Sequence, residues 1–274
     1  MNHSLRIAAN RIRPPRQAGY SLLEALITIT IGVFILGGLV LIFSNTRQYY
    51  GNQNGLSQLQ EQERVAMNIL STVVQHAGYY PAPPPAPGNQ GAMDLSLGDT
   101  FLGDASDNYV AGQYLSGCSF ASSTCGAAVT TDVLAMRYFA GNTTSGSYQD
   151  TIQDCNGGTN TGTTNLEMRN ALTVDTTQNA LLCVTAKTGV NAALATALAN
   201  QDPTTALVNG VTGFTVLYGV DLQGKGSVNQ YMPASSVPNW SNVISVRVQL
   251  TFANPITPTS PITFSRVIKL MNKT

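Results

Sequence analysis

The apolar and polar positions divide the chain into a long apolar run, an amphipathic stretch and a later region of short alternating segments. The apolar run extends from Tyr20 to Phe43, and Glu24 is its only charged residue. A helix rises 1.5 Å per residue, so this run spans about 36 Å, more than the ~30 Å hydrocarbon core of a bilayer. The run therefore predicts a membrane-crossing helix.

The helical pattern continues beyond the apolar run, as one face of an amphipathic helix. Its apolar residues recur at three- and four-residue steps: Leu56, Leu59, Ala66, Ile69, Leu70, Val73 and Ala77. No proline lies between Pro15 and Pro81, so we expect one helix from about Ser21 to Ala77. Gly78 and the proline-rich segment 81–88 would end it, since glycine favours helix C-termini and proline cannot continue a helix.

The C-terminal part of the chain predicts strands. Alternating residues indicate Val211–Val220, Val243–Phe252 and Ile262–Leu270. Two shorter strands are expected within and just beyond a Gly-, Ser-, Thr- and Asn-rich region, residues 89–180, that otherwise predicts long loops; they are Val133–Tyr138 and Leu181–Val184. Three adjacent antiparallel strands against the helix's apolar stripe give an α+β fold, a long N-terminal helix packed on an antiparallel β-sheet head.

Charge is sparse and uneven. Charged residues make up 10% of the chain, against about a quarter in ordinary globular proteins. Residues 1–19 carry four arginines and no acid, and the remainder has 10 basic and 14 acidic side chains. No basic cluster follows, so direct nucleic-acid binding is not expected. The arginines before the apolar run predict a cytoplasmic N-terminus, with everything after Phe43 outside.

The four cysteines are Cys118, Cys125, Cys155 and Cys183. An even number in an exported region indicates disulfides, because cytosolic thiols are usually reduced. Zinc is the rival interpretation, but the spacings lack the paired C-x₂₋₄-C knuckles of structural zinc sites. Three pairings are possible. The sequential pairing, Cys118–Cys125 and Cys155–Cys183, is the one we favour.

The presence of Glu24 in the apolar run requires an explanation, since placing a charge at mid-bilayer costs about 2.5–3.5 kcal/mol on insertion scales. The string Gly19-Tyr20-Ser21-Leu22-Leu23-Glu24, after a basic leader, resembles the class III signal of type IV prepilins. The resemblance implies cleavage between Gly19 and Tyr20 by a prepilin peptidase and N-methylation of Tyr20, where phenylalanine is usual. It also implies that Glu24 meets the freed amine of a neighbouring subunit and sets the register of assembly.

Further segments resemble the PilW family of minor pilins. They are Leu59–Ala66, Ala77–Tyr80, Tyr218–Asp221, Trp240 and Met271-Asn272. The resemblance implies a minor pilin of a type IV pilus, held in the inner membrane and then incorporated into the fibre. Its partners would be the prepilin peptidase, other minor pilins, the major pilin and the inner-membrane assembly platform. With other minor pilins it would prime assembly at the fibre tip.

The expected domains follow from these segments. They are a basic leader at 1–19, the membrane or fibre-core half of the helix at 20–43, its amphipathic half at 44–80, a proline-rich linker at 81–88 and an extracytoplasmic, β-rich head with disulfide-stapled loops at 89–274.

Catalysis has almost no support in the sequence, which lacks a Gly-x-Ser-x-Gly elbow, a phosphate loop and an H-E-x-x-H helix. We expect no enzyme activity, no cofactor and no metal. Calcium at Asp221–Gly226 is disfavoured because Asp221 is the only acid there. Two alternatives remain: a GspJ-like pseudopilin of type II secretion, and a membrane-anchored binding protein or enzyme whose head works alone.

Overall fold

The computed structural model describes residues 19, 21–81, 101–104, 107, 109–120, 129–141, 152–162, 165–187, 189–200 and 206–272. The chain divides into two compact units, Met1–Gln53 and Asn54–Thr274. The helices are α1 (Leu22–His76) and α2 (Val190–Asn200). The strands are β1 (Leu115–Cys118), β2 (Val133–Ala140), β3 (Leu166–Asp175), β4 (Ala180–Ala186), β5 (Ala206–Asn209), β6 (Val211–Val220), β7 (Gln230–Met232), β8 (Val243–Phe252) and β9 (Ile262–Lys269).

Helix α1 begins and ends within one residue of its predicted bounds. Gly78, with φ of 75°, provides the left-handed residue that ends many helices, and its amide donates to the carbonyl of Arg137. A Cβ at Gly78 would lie 2.9 Å from the ring of Tyr114, so this turn needs glycine for space as well. The side-chain amide of Asn272 donates to the carbonyls of Gln75 and Ala77 and so satisfies acceptors at the helix end.

Two antiparallel sheets form the β structure of the second unit. The five-stranded sheet has the order β1-β2-β3-β4-β5, and the four-stranded sheet has the order β7-β6-β8-β9. The prediction of three adjacent C-terminal strands is confirmed as β6, β8 and β9, with β9 ending at Lys269 instead of Leu270. The α+β fold class is likewise confirmed.

The loop prediction for residues 89–180 is wrong over β1 and β3, and helix α2 and strands β5 and β7 were not predicted. Residues 169–175 of β3 are buried without alternation, because the five-stranded sheet is covered on both faces. A strand covered on both faces loses the polar–apolar alternation that marks a half-exposed strand. Some of its polar side chains are buried with partners, such as Thr173, whose hydroxyl lies 3.0 Å from that of Thr131.

The main core joins α1 to both sheets. The buried face of α1 and its end comprises Leu59, Ala66, Met67, Leu70, Val73, Val74 and Ala77. These side chains share one apolar cluster with residues of the five-stranded sheet, such as Leu134 and Leu172, and of the four-stranded sheet, such as Val216 and Val248. A second cluster lies on the other face of the five-stranded sheet, where Val190 and Leu194 of α2 are buried.

Asp132, just before β2, connects the two sheets. One carboxylate oxygen accepts the amide of Phe120 and the other accepts the amide of Val216 in β6, both at 2.9 Å. The backbone amide of Asp132 also donates to the carbonyl of Phe214, 3.3 Å away. Because Asp132 is buried, removing its carboxylate would leave the buried amide of Val216 and the part-buried amide of Phe120 without their acceptor.

We predict that Asp132→Ala lowers the free energy of unfolding by about 1–3 kcal/mol, the usual cost of leaving buried polar groups unsatisfied. Urea titration of the full chain in detergent micelles, followed by circular dichroism, measures this. Glu61→Ala removes a carboxylate from an exposed helix pair and is the matched control, with an unchanged midpoint expected. Equal midpoints for both variants would contradict the role given to Asp132.

Candidate functional site

The candidate site is the apolar half of α1, with Glu24 in its first helical turn. The helix starts with the amide of Ala25 donating to the carbonyl of Ser21 at 3.2 Å. A carboxylate here is favoured by the partial positive charge of the helix N-terminus. Gly19 is exposed, whereas Tyr20 and the leader residues 1–18 lie outside the described residues. Cleavage at Gly19–Tyr20 and methylation of Tyr20 therefore stay predictions.

Apolar side chains cover every side of this half of the helix. The large ones are 51–79% exposed: Leu22, Leu23, Leu26, Ile27, Ile29, Ile31, Val33, Phe34, Ile35, Leu36, Leu39, Val40, Leu41, Ile42 and Phe43. The most apolar 18-residue window of α1 has a mean hydropathy of 2.7. A helix that is apolar all round belongs in lipid or among other apolar helices. By length and composition it can cross a membrane.

The hydroxyl groups within this segment are satisfied by the helix itself. Thr28 donates to the carbonyl of Glu24 at 3.0 Å, or to that of Ala25 at 2.9 Å, and Thr30 donates to Leu26 at 2.7 Å. Such bonds to the preceding turn hide the hydroxyl from an apolar surrounding. The cost of a non-aqueous environment is thereby concentrated on the carboxylate of Glu24.

Glu24 has no basic partner within ion-pair distance among the residues that the structure describes, where the ion pairs involve Glu61, Asp104, Asp107 and Glu167. All of these ion pairs lie in the second unit. Glu24 therefore differs from the paired carboxylates of the second unit, and its role in assembly stays a prediction.

The head contains a buried ionic cluster that sequence reasoning missed. Arg137 in β2 has a fully buried side chain, which donates to the carbonyls of Gln113 (2.6 Å), Leu102 (2.7 Å) and Val110 (3.2 Å) and approaches Glu167 at 3.4 Å. Desolvation lowers the pKa of Arg137, with Glu167 opposing it. The side chain anchors the irregular segment around residues 101–114 onto the five-stranded sheet.

Arg169 in β3 extends the cluster to three carboxylates. It lies 2.7 Å from Asp107 and 3.0 Å from Glu167, and it also pairs with Asp104. Burial opposes its charge, but the hydrogen bonds to Asp104 and Asp107 together with the charge and hydrogen bond of Glu167 raise its pKa. Asp107 also accepts the amides of Val190 and Asn191, both at 3.0 Å. These groups satisfy one another, so the cluster is suited to holding loops in place.

The only sequence signal for this cluster was the pair of arginines in a region otherwise poor in charge. Arg137 fell in a predicted strand, and Arg169 fell in the predicted loops. Their acidic partners Asp104, Asp107 and Glu167 are 30 to 65 residues away or are neighbours along β3, a pairing that spacing alone does not reveal.

The structure contains a disulfide between Cys155 and Cys183, which joins the segment 152–162 to β4. This is one of the two pairs favoured from the sequence. Cys118 is the last residue of β1 and is disulfide-bonded. Cys125 lies outside the described residues, so the Cys118–Cys125 pairing stays a prediction.

The Asp221 turn, residues 221–229 between β6 and β7, uses its carboxylate for the backbone. Asp221 accepts the amide of Gln223 at 3.1 Å and that of Gly226 at 2.6 Å. Burial disfavours the ionised form, yet the loop amides, that of Gly226 foremost, hold the pKa of Asp221 below its usual value. Positive φ at Gly224 and Gly226 (66° and 74°) allows the chain to fold around the carboxylate. The residue therefore organises a glycine-rich turn.

Within the described residues, no three His, Cys, Asp or Glu side chains come together as a group able to hold a metal ion. One cavity of about 510 Å³ is lined by residues such as Thr159, Met168, Thr185 and Lys187. It brings no acid–base pair together.

Comparison with family models gives two matches. A model described as the prokaryotic N-terminal methylation motif matches residues 14–40, and one described as type IV pilus-assembly protein W matches residues 158–261. Searches of curated proteins and of solved structures found no significant match. Residues 14–40, on the apolar helix, are thus similar to the methylation motif of prepilin-type proteins. Residues 158–261, in the β-rich head, are similar to the PilW family, in agreement with the resemblance seen in the sequence.

We predict that Asp221→Ala speeds hydrogen exchange several-fold at the amides of Gln223 and Gly226, because both lose their carboxylate acceptor. Since the folded pKa is depressed, the stabilisation is present above the unfolded pKa of about 3.9 and is lost as pH falls through the lower folded value. Exchange followed by mass spectrometry at neutral and acidic pH measures both effects. Gln223→Ala keeps the backbone amide and is the control. Protection that persists in Asp221→Ala at neutral pH would contradict this account.

Proposed function

We propose that the protein is a minor pilin that is cleaved between Gly19 and Tyr20, methylated on the new amine of Tyr20 and incorporated into a type IV pilus. With other minor pilins it primes assembly of the major subunit at the fibre tip. The observation that carries this proposal is Glu24, a carboxylate in an otherwise apolar helix that has no described partner in its own chain. The methylation motif and the pilus-assembly match support the same conclusion.

The physical argument concerns desolvation. Moving a carboxylate out of water costs several kcal/mol, and an opposite charge at close range offsets that cost. The freed amine of Tyr20 in a neighbouring subunit would be such a charge. A subunit displaced along the fibre by one helical turn, about 5.4 Å, would leave both charges unpaired. Glu24 would therefore select one register among many that apolar packing alone allows.

The proposed location follows from the same helix. Before assembly the apolar half of α1 would lie in the inner membrane, with the N-terminus in the cytoplasm and the head outside. Its surroundings would then change from lipid to the apolar helices of neighbouring pilins. The partners would be the prepilin peptidase, other minor pilins, the major pilin and the assembly platform. The long apolar helix and the methylation motif support membrane anchoring and incorporation.

The head would act as a rigid structural body. Its buried charges are engaged with each other and with backbone groups, and its family match is to type IV pilus-assembly protein W. The type IV pilus-assembly match lies in the head, at residues 158–261, and this favours a pilus over a type II secretion system, whose pseudopilins share the first helix.

We predict that Glu24→Ala leaves a membrane-inserted, folded protein that enters fibres poorly. The expected loss of incorporation is at least tenfold, because the amine of the neighbouring subunit would be buried without a counter-charge, at a cost of about 1.4 kcal/mol or more. Immunoblotting of sheared pili against membranes measures the partition. Glu24→Asp retains the charge and should restore part of the incorporation, and Glu61→Ala is the control for an exposed acid on the same helix. Normal piliation by Glu24→Ala would count against the mechanism.

We predict that the mature protein begins at Tyr20 and carries one methyl group on its α-amine. Intact mass and N-terminal peptide mass spectrometry of protein from the fibre fraction measure both changes together. A Gly19→Val chain should keep its leader and stay in the membrane. Fibre protein that retained the arginine-bearing leader would contradict the proposal, because its N-terminal amine would lie far from Glu24 of a neighbour.

A further inference from the structure

We propose that Phe43, Arg47, Tyr49 and Tyr50 form an interfacial anchor, which holds α1 at the level of the phospholipid headgroups, with the guanidinium of Arg47 bound to lipid phosphate. The inference rests on the proposed function, since it concerns the membrane-held state before assembly. It adds a lipid partner and the residues that recognise it.

The position of Arg47 is the first argument. It is the only charged residue between Glu24 and Glu61, a stretch of the chain that is otherwise apolar or neutral. The large exposed apolar side chains run from Leu22 to Phe43, and about 20 helical residues cross a bilayer core. Arg47 thus falls one turn beyond the hydrocarbon, on the side opposite to Glu24. A guanidinium at this depth meets lipid phosphates, the anionic groups that attract it.

The contact between Arg47 and Phe43 is the second argument. The guanidinium carbon lies 5.0 Å from the centre of the Phe43 ring, on the next turn of the same face. A cation over an aromatic face is attracted to it and is held in place. The Arg47 side chain therefore rests on the last large apolar side chain of the span, with its donors free for an acceptor at the membrane surface.

The two tyrosines are the third argument. Tyr49 and Tyr50 are 61% and 67% exposed, and their rings lie 6.5 Å apart at 68°. Tyrosine is enriched at membrane interfaces because its ring is apolar and its hydroxyl is polar. Tyr50 follows Phe43 by seven residues, which brings it back to the same side of the helix, and Tyr49 covers the adjacent side. Tyr49 and Tyr50 thus place aromatic rings on two adjacent sides of the helix, within one turn of Arg47.

The residues between Phe43 and Arg47 mark the lower limit of this level. The hydroxyl of Thr46 donates to the carbonyl of Ile42 at 2.7 Å and so hides its polar group within the helix. Ser44 and Asn45 are the first exposed polar residues after the apolar run, and Arg47 is the first charged one. The boundary between hydrocarbon and headgroup is therefore placed between Phe43 and Arg47.

The experiment measures the depth of an indole at position 50. Tyr50→Trp is made in the full-length Trp240→Phe chain, so that the introduced indole is the only one, and circular dichroism checks folding. The protein is reconstituted in vesicles of phosphatidylethanolamine and phosphatidylglycerol. Separate samples carry a nitroxide on the lipid headgroup or deep in the acyl chain, and acrylamide is added as the aqueous quencher. The headgroup nitroxide should quench the indole most strongly.

Two further variants test the role of Arg47. Arg47→Leu should draw the indole toward the deep nitroxide by up to one helical turn, about 5 Å, because the charge no longer holds the helix at the surface. Gln48→Leu adds the same apolar side chain next to Arg47 and should leave the depth unchanged. The inference is overturned if acrylamide alone quenches the indole, if the deep nitroxide quenches it most in the parent, or if both leucine variants shift equally.

The two proposals fail separately. If cells with Glu24→Ala assemble pili normally and the vesicle experiment places the indole at headgroup level, the assembly mechanism is refuted and the interfacial anchor is supported. Efficient incorporation that requires Glu24, with an indole exposed to water in vesicles, would support the assembly mechanism and refute the anchor.

Discussion

The burial of one apolar stripe of α1 is the interaction on which the head depends. Met67, Leu70 and Val74 are at most 1% exposed, and they share a core with strands of both sheets. Burying side chains of this size contributes about 1.5–3 kcal/mol each. The helix and both sheets thus share one core. The second unit begins at Asn54, close to where this burial starts, so the helix serves as a core element there.

Low-dielectric surroundings are handled in two different ways along the chain. In the head, Arg137 and Arg169 receive their partners from the same chain, and each buried charge is opposed by a carboxylate or by carbonyl dipoles. In the apolar half of α1, the threonine hydroxyls donate to carbonyls of the preceding turn, whereas Glu24 has no ion-pair partner among the described residues. Buried charges that are paired within the chain can stabilise its fold, whereas an unpaired charge in apolar surroundings can be paired by a second molecule.

The parts of the fold that could be predicted are those whose periodicity reports one buried face. Helix α1 and strands β6, β8 and β9 show that periodicity, and their bounds agree with the structure to within a residue or two. Strand β3 is buried on both faces over most of its length, and its Arg169, Asn170 and Thr173 resemble a loop in composition. Its burial depends on partners distant in sequence.

The candidate site divides in the same manner. Glu24 could be singled out from the sequence because a charge inside an apolar run is a local anomaly. Cleavage at Gly19–Tyr20 was implied by the resemblance to prepilins and stays a prediction. The Asp132 link between the sheets and the Arg137–Arg169 cluster could not, since they require knowing which strands are neighbours. A charge within an apolar run is visible in the sequence, whereas contacts between sheets can be identified only from the three-dimensional structure.

The contacts of Asn272 with the end of α1 bear on the order of biosynthesis. Its amide reaches the carbonyl of Gln75, a residue 197 positions earlier in the chain. Arg266 similarly donates to the carbonyl of Met67 at 3.2 Å. A ribosome therefore completes the helix long before it makes the side chains that fasten its final turns. During synthesis the carbonyls at the helix end lack these donors, and the head can complete its folding only after the last strand has emerged.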